Sequence, residues 1–152
     1  MEFLSFNDSL ANEFSQMNLA WVKKYFEVEP ADKLVLSNPR RNIIDKGGYI
    51  FFAKSGDTIA GTFALLRVND QEFELSKMAV KEAFLGKNIG NALLTFCLQE
   101  AKKLGIKKLV LYSNTKLGPA IHLYMKYGFL QVPLNNSAYK RSDIKMELEL
   151  KY

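Results

Sequence analysis

The sequence has a single cysteine, Cys97, and a single histidine, His122, among its 152 residues. One cysteine excludes an internal disulfide and fits a reducing compartment. One Cys and one His also fall short of a typical zinc ligand set, so no metal is expected. No apolar run approaches the roughly 20 residues that span a bilayer. The opening segment Met1-Glu2-Phe3-Leu4-Ser5-Phe6-Asn7-Asp8 has no basic start and no long apolar stretch, so it is not read as a signal peptide. The expectation is a cytoplasmic protein that does not engage a membrane. Internal repeats, low-complexity tracts and linkers are missing as well. The net charge is +5, but the basic residues are scattered in pairs: Arg40-Arg41, Lys102-Lys103, Lys107-Lys108 and Lys140-Arg141. Without a basic run interleaved with aromatics, and without helix-turn-helix spacing, no nucleic-acid partner is expected. The pairs read as solvated surface, and their field would equally favour a polyanionic ligand.

What is present is enough for a folded domain. Hydrophobic residues make up 48% and aromatics 12% of the chain, which sets it apart from disordered sequences. At this length one domain over residues 1–152 is expected. Phe3 to Phe6 reads as a short strand, with Asp8 or Ser9 as the N-cap of a helix. Leu10, Phe14, Met17, Trp21 and Tyr25 then recur at steps of three and four. Pro30 suits the first turn of a second helix, Pro39 ends it at Asn38, and Gly47-Gly48 closes the helical region. Three strand-like runs follow, Tyr49 to Lys54, Thr58 to Val68 and Phe73 to Val80, as an antiparallel meander. Gly90 to Leu104 is a helix with Leu93, Leu94, Cys97, Leu98, Ala101 and Leu104 on one face. Lys108 to Ser113 is a buried strand, and a helix starting at Gly118-Pro119 stops at Gly128. Phe129 to Val132 and Ile144 to Leu150 are the last strands. The order β-α-α-β-β-β-α-β-α-β-β argues for an α/β fold, one mixed sheet with helices on its faces.

The densest signal lies in Glu74 to Asn91, ELSKMAVKEAFLGKNIGN. A strand ends at Val80, and Leu85-Gly86-Lys87-Asn88-Ile89-Gly90 leads straight into the Gly90 helix. Unpaired amides and the positive end of the helix dipole at such a turn suit a phosphate or pyrophosphate, although many similar turns only cap a helix. A second segment raises the specificity. Asn114 ends the next strand, and Gly118-Pro119-Ala120-Ile121-His122-Leu123-Tyr124-Met125-Lys126-Tyr127-Gly128-Phe129 carries a tyrosine ahead of a Gly-Phe step.

In order and spacing, these two segments resemble the two signatures of the GNAT superfamily of N-acetyltransferases, across roughly residues 45 to 150. The resemblance is to a single-domain member of the bacterial type. It implies the acyl-CoA N-acyltransferase fold, a central, mixed, largely antiparallel sheet of about seven strands flanked by about four helices. It also implies acetyl-CoA as co-substrate and direct attack by an amine in a ternary complex. The family loop pattern is Arg or Gln, two residues, Gly, one residue, then Gly or Ala. Leu85, Asn88 and Gly90 stand at those positions here, and asparagine tolerates the positive φ that such a turn needs.

By that resemblance the cofactor contacts are Met78, Ala79, Val80, Leu85, Gly86, Lys87, Asn88, Ile89, Gly90, Asn91 and Asn114. The strand amides would bind the pantetheine arm, and the Met78 amide would polarise the thioester carbonyl. Tyr124 is implied as the general acid for the leaving thiolate; by composition alone it could equally be a core aromatic. Glu74 is the candidate base, set four residues before Met78 and so on the same face of a regular strand; a surface carboxylate is the competing reading. His122 and Cys97 read as surface or core residues without a chemical role. The resemblance places the acceptor near Trp21, Tyr25, Glu27, Glu29 and Tyr139-Lys140-Arg141. Glu27 and Glu29 would select a cationic amine there, or Arg141 an acceptor carboxylate. A small-molecule amine is the leading acceptor. The alternatives are a protein lysine or N-terminus, or a catalytically silent acyl-CoA-binding module suggested by Leu85 and Asn88. A homodimer is compatible with the family.

Overall fold

The stripe at steps of three and four is buried at its centre, at Phe14 and Met17, and opens to solvent at Tyr25. In α1 (Ala11–Tyr25) Phe14, Met17 and Val22 are buried, and Leu10 and Trp21 pack beside them. The computed structural model describes residues 1–151, so Tyr152, the last residue of the expected 1–152 domain, lies outside the described residues. A 3₁₀ turn, Asp8–Leu10, precedes α1 and shifts the cap earlier than expected. The Asn7 side chain accepts from the Ser9 amide at 2.9 Å. Pro30 opens α2 (Pro30–Ser37), where Glu29 and Asp32 form a reciprocal capping box. Pro39 ends α2 as expected, but the chain continues through a π-helical turn, Arg40–Ile44, before reaching Gly47.

The remaining elements follow the expected order with ends shifted by one or two residues. They are β2 (Tyr49–Ser55), β3 (Thr58–Arg67), β4 (Glu72–Val80), α3 (Ile89–Lys103), β5 (Lys108–Ser113), α4 (Gly118–Lys126), β6 (Leu130–Val132) and β7 (Ile144–Glu149), after β1 (Glu2–Ser5) at the start. They form a seven-stranded sheet in the order β1-β2-β3-β4-β5-β7-β6. Every neighbouring pair is antiparallel except β4 and β5, which run parallel. The connection between those two is α3, the crossover that parallel strands require.

Strand alternation sends two sets of side chains to two faces. Phe51, Phe63, Leu65, Leu109 and Met146 pack under α3 with Leu93, Leu94 and Cys97, while Ile50, Phe52 and Ala64 pack with Phe14, Leu36 and Ile43 on the side of α1 and α2. Close seating of α3 depends on Gly61. A Cβ there would meet the Leu93 side chain at 2.9 Å and Ile89 at 3.2 Å. Among the described residues no helix is long and apolar enough to cross a membrane.

Candidate active site

The parallel pair comes apart. β4 and β5 are in register only at Glu72–Lys108, Phe73–Leu109 and Glu74–Val110. Beyond Glu74 the two strands diverge and leave a wedge in the middle of the sheet. The amides of β4 that open into it can be read from the antiparallel side. The Lys81 N–H bonds the Ala60 carbonyl at 2.9 Å, and Ala79 is in register with Thr62. Residues 79 and 81 therefore face β3, and alternation turns the N–H groups of Met78 and Val80 toward the gap.

A β-bulge sits beside the wedge. The β3–β4 register steps from Thr62–Ala79 to Ala64–Ser76, which leaves one extra residue in β4, and Lys77 takes the left-handed conformation with φ 55°. The bulge overturns one expectation. Glu74 and Met78, four residues apart, do not share a face. Phe73 and Leu75 point to the α3 side, and after the extra residue it is Met78 and Val80 that pack there, whereas Ala79 joins the α1 side. Glu74, alternating with Phe73 and Leu75, therefore faces α1 and α2 while Met78 faces α3 and α4. The wedge is open to both faces, and side chains from both line a single cavity of about 590 Å³.

At one end of that cavity lies the start of α3. The 3₁₀ turn Glu82–Phe84 leads into Leu85, 49% exposed, then Gly86 at φ 78° and Asn88 at φ 65° as the N-cap. The asparagine therefore does adopt the left-handed turn. Its side-chain oxygen accepts from Asn91 Nδ2 at 2.6 Å, which holds the turn closed. The first bond of the helix runs from the Ala92 amide to the Asn88 carbonyl, so the amides of Ile89, Gly90 and Asn91 precede the hydrogen-bonded ladder. Gly90 stands against α4: a Cβ there would lie 3.4 Å from Leu123. The Asn91 side chain also meets Lys126 Nζ at 3.3 Å and the Tyr127 hydroxyl at 3.1 Å. Amides at a helix start beside an open strand edge fit a pyrophosphate joined to an extended arm. Lys87, next to the turn, is exposed.

Tyr124 on α4 lines the cavity on the α3 side, its ring edge-on to Phe129 at 6.0 Å. Burial, with a smaller effect of Cys97, pushes its phenol up to about 12, so it is protonated at any ordinary pH. Glu74 lines the cavity from the opposite face. Burial raises its carboxyl above the usual range, opposed by Lys77 and by a hydrogen bond from Ser76. A protonated phenol and a carboxylate of raised pKa on opposite sides of one cavity can donate and accept a proton at neutral pH. His122 is exposed on α4, and Cys97 is buried with its thiol pushed up by burial.

The expected acceptor residues are separated by the structure. Trp21 and Tyr25 line the cavity, and their rings lie 5.7 Å apart. Glu27 is exposed and lies outside the lining, because α1 ends at Tyr25 and the chain turns away. Glu29 is turned to the chain itself: its carboxylate accepts from the Lys140 amide at 2.7 Å and the Arg141 amide at 3.3 Å. Arg141 reaches the cavity, but its guanidinium forks onto Asp32, at 2.7 Å and 2.8 Å, and touches Glu29 at 3.3 Å. Asn114 donates to the Arg141 carbonyl at 2.7 Å and accepts from the Lys116 amide at 2.9 Å, so its side chain supports the 141 segment.

Sequence reasoning missed the centre of this arrangement. Asp32 is fully buried, and Lys77, with 4% of its side chain exposed, donates to Asp32 at 3.0 Å and to the Tyr139 hydroxyl at 2.6 Å. Burial lowers the Lys77 ammonium, an effect opposed by Asp32. Burial alone would raise the Asp32 carboxyl, but bonds from Arg141 and the Glu29 amide, with Lys77, outweigh it and bring it down to about 2. A lysine among the side chains of a half-buried strand, beside Met78-Ala79-Val80, was the available signal for Lys77. Asp32 drew no notice in the sequence, where an aspartate in the first turn of a helix is commonplace.

With this geometry in view, the comparisons with known proteins agree. The model of the acetyltransferase (GNAT) family matches residues 14–129. A Bacillus subtilis (strain 168) protein, uncharacterized N-acetyltransferase YvbK, is 33% identical over 101 residues, 64% of this chain. The match spans 65% of that relative, a little under two thirds of its length. An acetyltransferase of the GNAT family from Staphylococcus aureus Mu50 superposes with a TM-score of 0.86 at 23% identity, covering 99% of both chains. A Bacillus subtilis acetyltransferase solved with CoA superposes with a TM-score of 0.76 at 21% identity, also over 99% of both. Likeness at this identity concerns the fold, the seven-stranded sheet with its helices.

Proposed function

The chain belongs to the acetyltransferase (GNAT) family, and on that premise we propose that it transfers the acetyl group of acetyl-CoA to a primary amine of a small molecule. The observation that carries the reading is the wedge between β4 and β5, which lies beside the start of α3 and has Tyr124 and Glu74 on opposite sides. The amides of Ile89, Gly90 and Asn91, with the turn Leu85 to Asn88, hold the pyrophosphate. The Val80 and Met78 amides hold the pantetheine arm, and Ala79 keeps them in line by pairing with Thr62 on the far side. The Met78 amide polarises the thioester carbonyl. Glu74 takes one proton from the incoming ammonium, the amine nitrogen bonds the acetyl carbon as the carbon–sulfur bond breaks, Tyr124 gives its proton to the departing thiolate, and the second proton, shed by the new amide nitrogen, returns to the Tyr124 phenolate. Asn114 acts here as a support for the 141 segment rather than as a direct contact.

Support for a small acceptor comes from the cavity: its volume of about 590 Å³ also takes the pantetheine arm at Met78, Val80 and Gly90, which leaves room for a small amine on the Trp21 side rather than a long groove. Calorimetry with acetyl-CoA, using NADH and ATP as phosphate-bearing controls, tests cofactor selectivity, and thiol release over an amine panel tests transfer. Selective acetyl-CoA binding with amine-dependent thiol release is expected. Failure to bind would mean that Leu85 and Asn88 disable the loop, and would sink the reading. Binding without turnover on any amine would leave a silent acyl-CoA-binding module.

A further inference from the structure

The charges lining the cavity can be paired off almost completely. Lys24 meets Glu82 at 3.7 Å and Lys81 meets Glu13 at 3.1 Å. Lys77 and Arg141 share Asp32, and Arg141 also has Glu29. Glu74 is the remainder. Among the described residues it is the one lining carboxylate without a cation within ion-pair distance, although Lys77 is near enough to act on it electrostatically. The wall across from it on the α1 side is aromatic. Trp21 stands 5.7 Å from Tyr25 and 5.9 Å from Phe26, and all three line the cavity.

From this balance we infer that the acceptor is a monocationic primary amine with an apolar or aromatic body and no carboxylate. This deepens the acetyltransferase reading and rests on it. One unpaired carboxylate neutralises one ammonium. A second ammonium, as in a polyamine, would find no free acid in the interior, where Asp32 holds Lys77 and Arg141; the other lining acids, Glu13 and Glu82, pair with lysines at the exposed rim. An α-carboxylate would need a free cation in the cavity: Lys77 and Arg141 are committed to Asp32, and Lys116, 4.3 Å over the Phe26 ring, is exposed and outside the lining. In either case an ion is taken out of water without a partner, which is costly. An aromatic body can lie against Trp21, Tyr25 and Phe26 with no such penalty.

Three probes separate the possibilities: 2-phenylethylamine, its carboxylated counterpart phenylalanine, and spermidine. Trp21 is the only tryptophan of the chain, so its emission reports occupancy of the acceptor side without any turnover. The expected result is a saturable emission change with 2-phenylethylamine, weakened at least about 10-fold by Glu74→Gln. The kcat/KM for thiol release should be about 10²-fold or more above that for either other probe, the size of effect that an uncompensated buried charge produces. Spermidine or phenylalanine used as well as 2-phenylethylamine overturns the inference and leaves the acetyltransferase reading standing. No emission response to 2-phenylethylamine overturns it too. Loss of acetyl-CoA binding in calorimetry, with the Trp21 response intact, would instead remove the transferase reading.

Discussion

Replacing Asp32 by Asn removes the one carboxylate that Lys77 and Arg141 share. In the folded protein Asp32 is fully buried, bound by both ends of the Arg141 fork at 2.7 Å and 2.8 Å and by Lys77 at 3.0 Å. Removing one partner of such a group leaves buried cations uncompensated, typically at a cost of about 3–5 kcal/mol. Arg141 keeps Glu29 at 3.3 Å and Lys77 keeps the Tyr139 hydroxyl, which argues for the lower end, about 3 kcal/mol. At about 2–4 °C per kcal/mol for a chain of this size, the midpoint should fall by roughly 6–12 °C. Urea and thermal unfolding followed by circular dichroism measure it. The pH dependence gives an independent check. The folded pKa of Asp32 is depressed from 3.8 to about 2, so its stabilisation is fully present above the unfolded value and is lost as pH falls from 3.8 toward 2. That shift corresponds to about 2 kcal/mol of stability in the wild type, which the asparagine variant should lack over the same window. A loss below about 1 kcal/mol, together with an unchanged acid profile, would refute the claim that Asp32 holds Lys77 and Arg141 as a buried, stabilising network.

Four further outcomes follow from the site. Tyr124→Phe should lower turnover by about 10²- to 10⁴-fold with near-normal acetyl-CoA binding in calorimetry. Glu74→Gln should abolish the acid limb of the kcat/KM–pH profile. In the wild type that limb should lie above the ordinary glutamate range, because burial raises the Glu74 carboxyl and the base is lost as pH falls through its pKa. Asn88→Gly should keep acetyl-CoA affinity, because glycine readily adopts the left-handed turn, whereas Asn88→Val should weaken it measurably in calorimetry. Gly61→Ala should cost about 1–3 kcal/mol in urea unfolding, since its methyl would overlap Leu93 and Ile89 and push α3 off the sheet.

Much of this molecule could be read along the chain because much of it is local. Helix stripes, proline and glycine punctuation and strand alternation are short-range properties, and they located every strand and α-helix to within about two residues, a usual margin for element ends, but not the 3₁₀ turns or the π-helical turn at Arg40–Ile44. The loop before α3 was legible for the same reason: Gly86 and Asn88 are residues suited to left-handed turns, and both adopt them. Periodicity could not reveal the bulge at Lys77, because one inserted residue leaves no mark on composition yet flips every side chain beyond it to the other face. That single shift separates Glu74 from Met78 and sets them on opposite sides of the wedge.

The elements, their order, the helix start that suits a phosphate and the residue types available for proton transfer are all legible along the chain. Local propensity and hydrophobic patterning act within a few turns of the chain, so they are written in any short window. How the charges pair is settled by the folded chain alone. Asp32 and Arg141 are 109 residues apart, and nothing in either neighbourhood announces the pair. Whether an acidic or basic side chain is free for a ligand depends on what folds against it, and a buried ion is held by whichever partner lies within reach. That removed Arg141 from the list of groups free to take a substrate carboxylate, put Glu27 outside the cavity, and left Glu74 as the negative group facing the aromatic wall of α1.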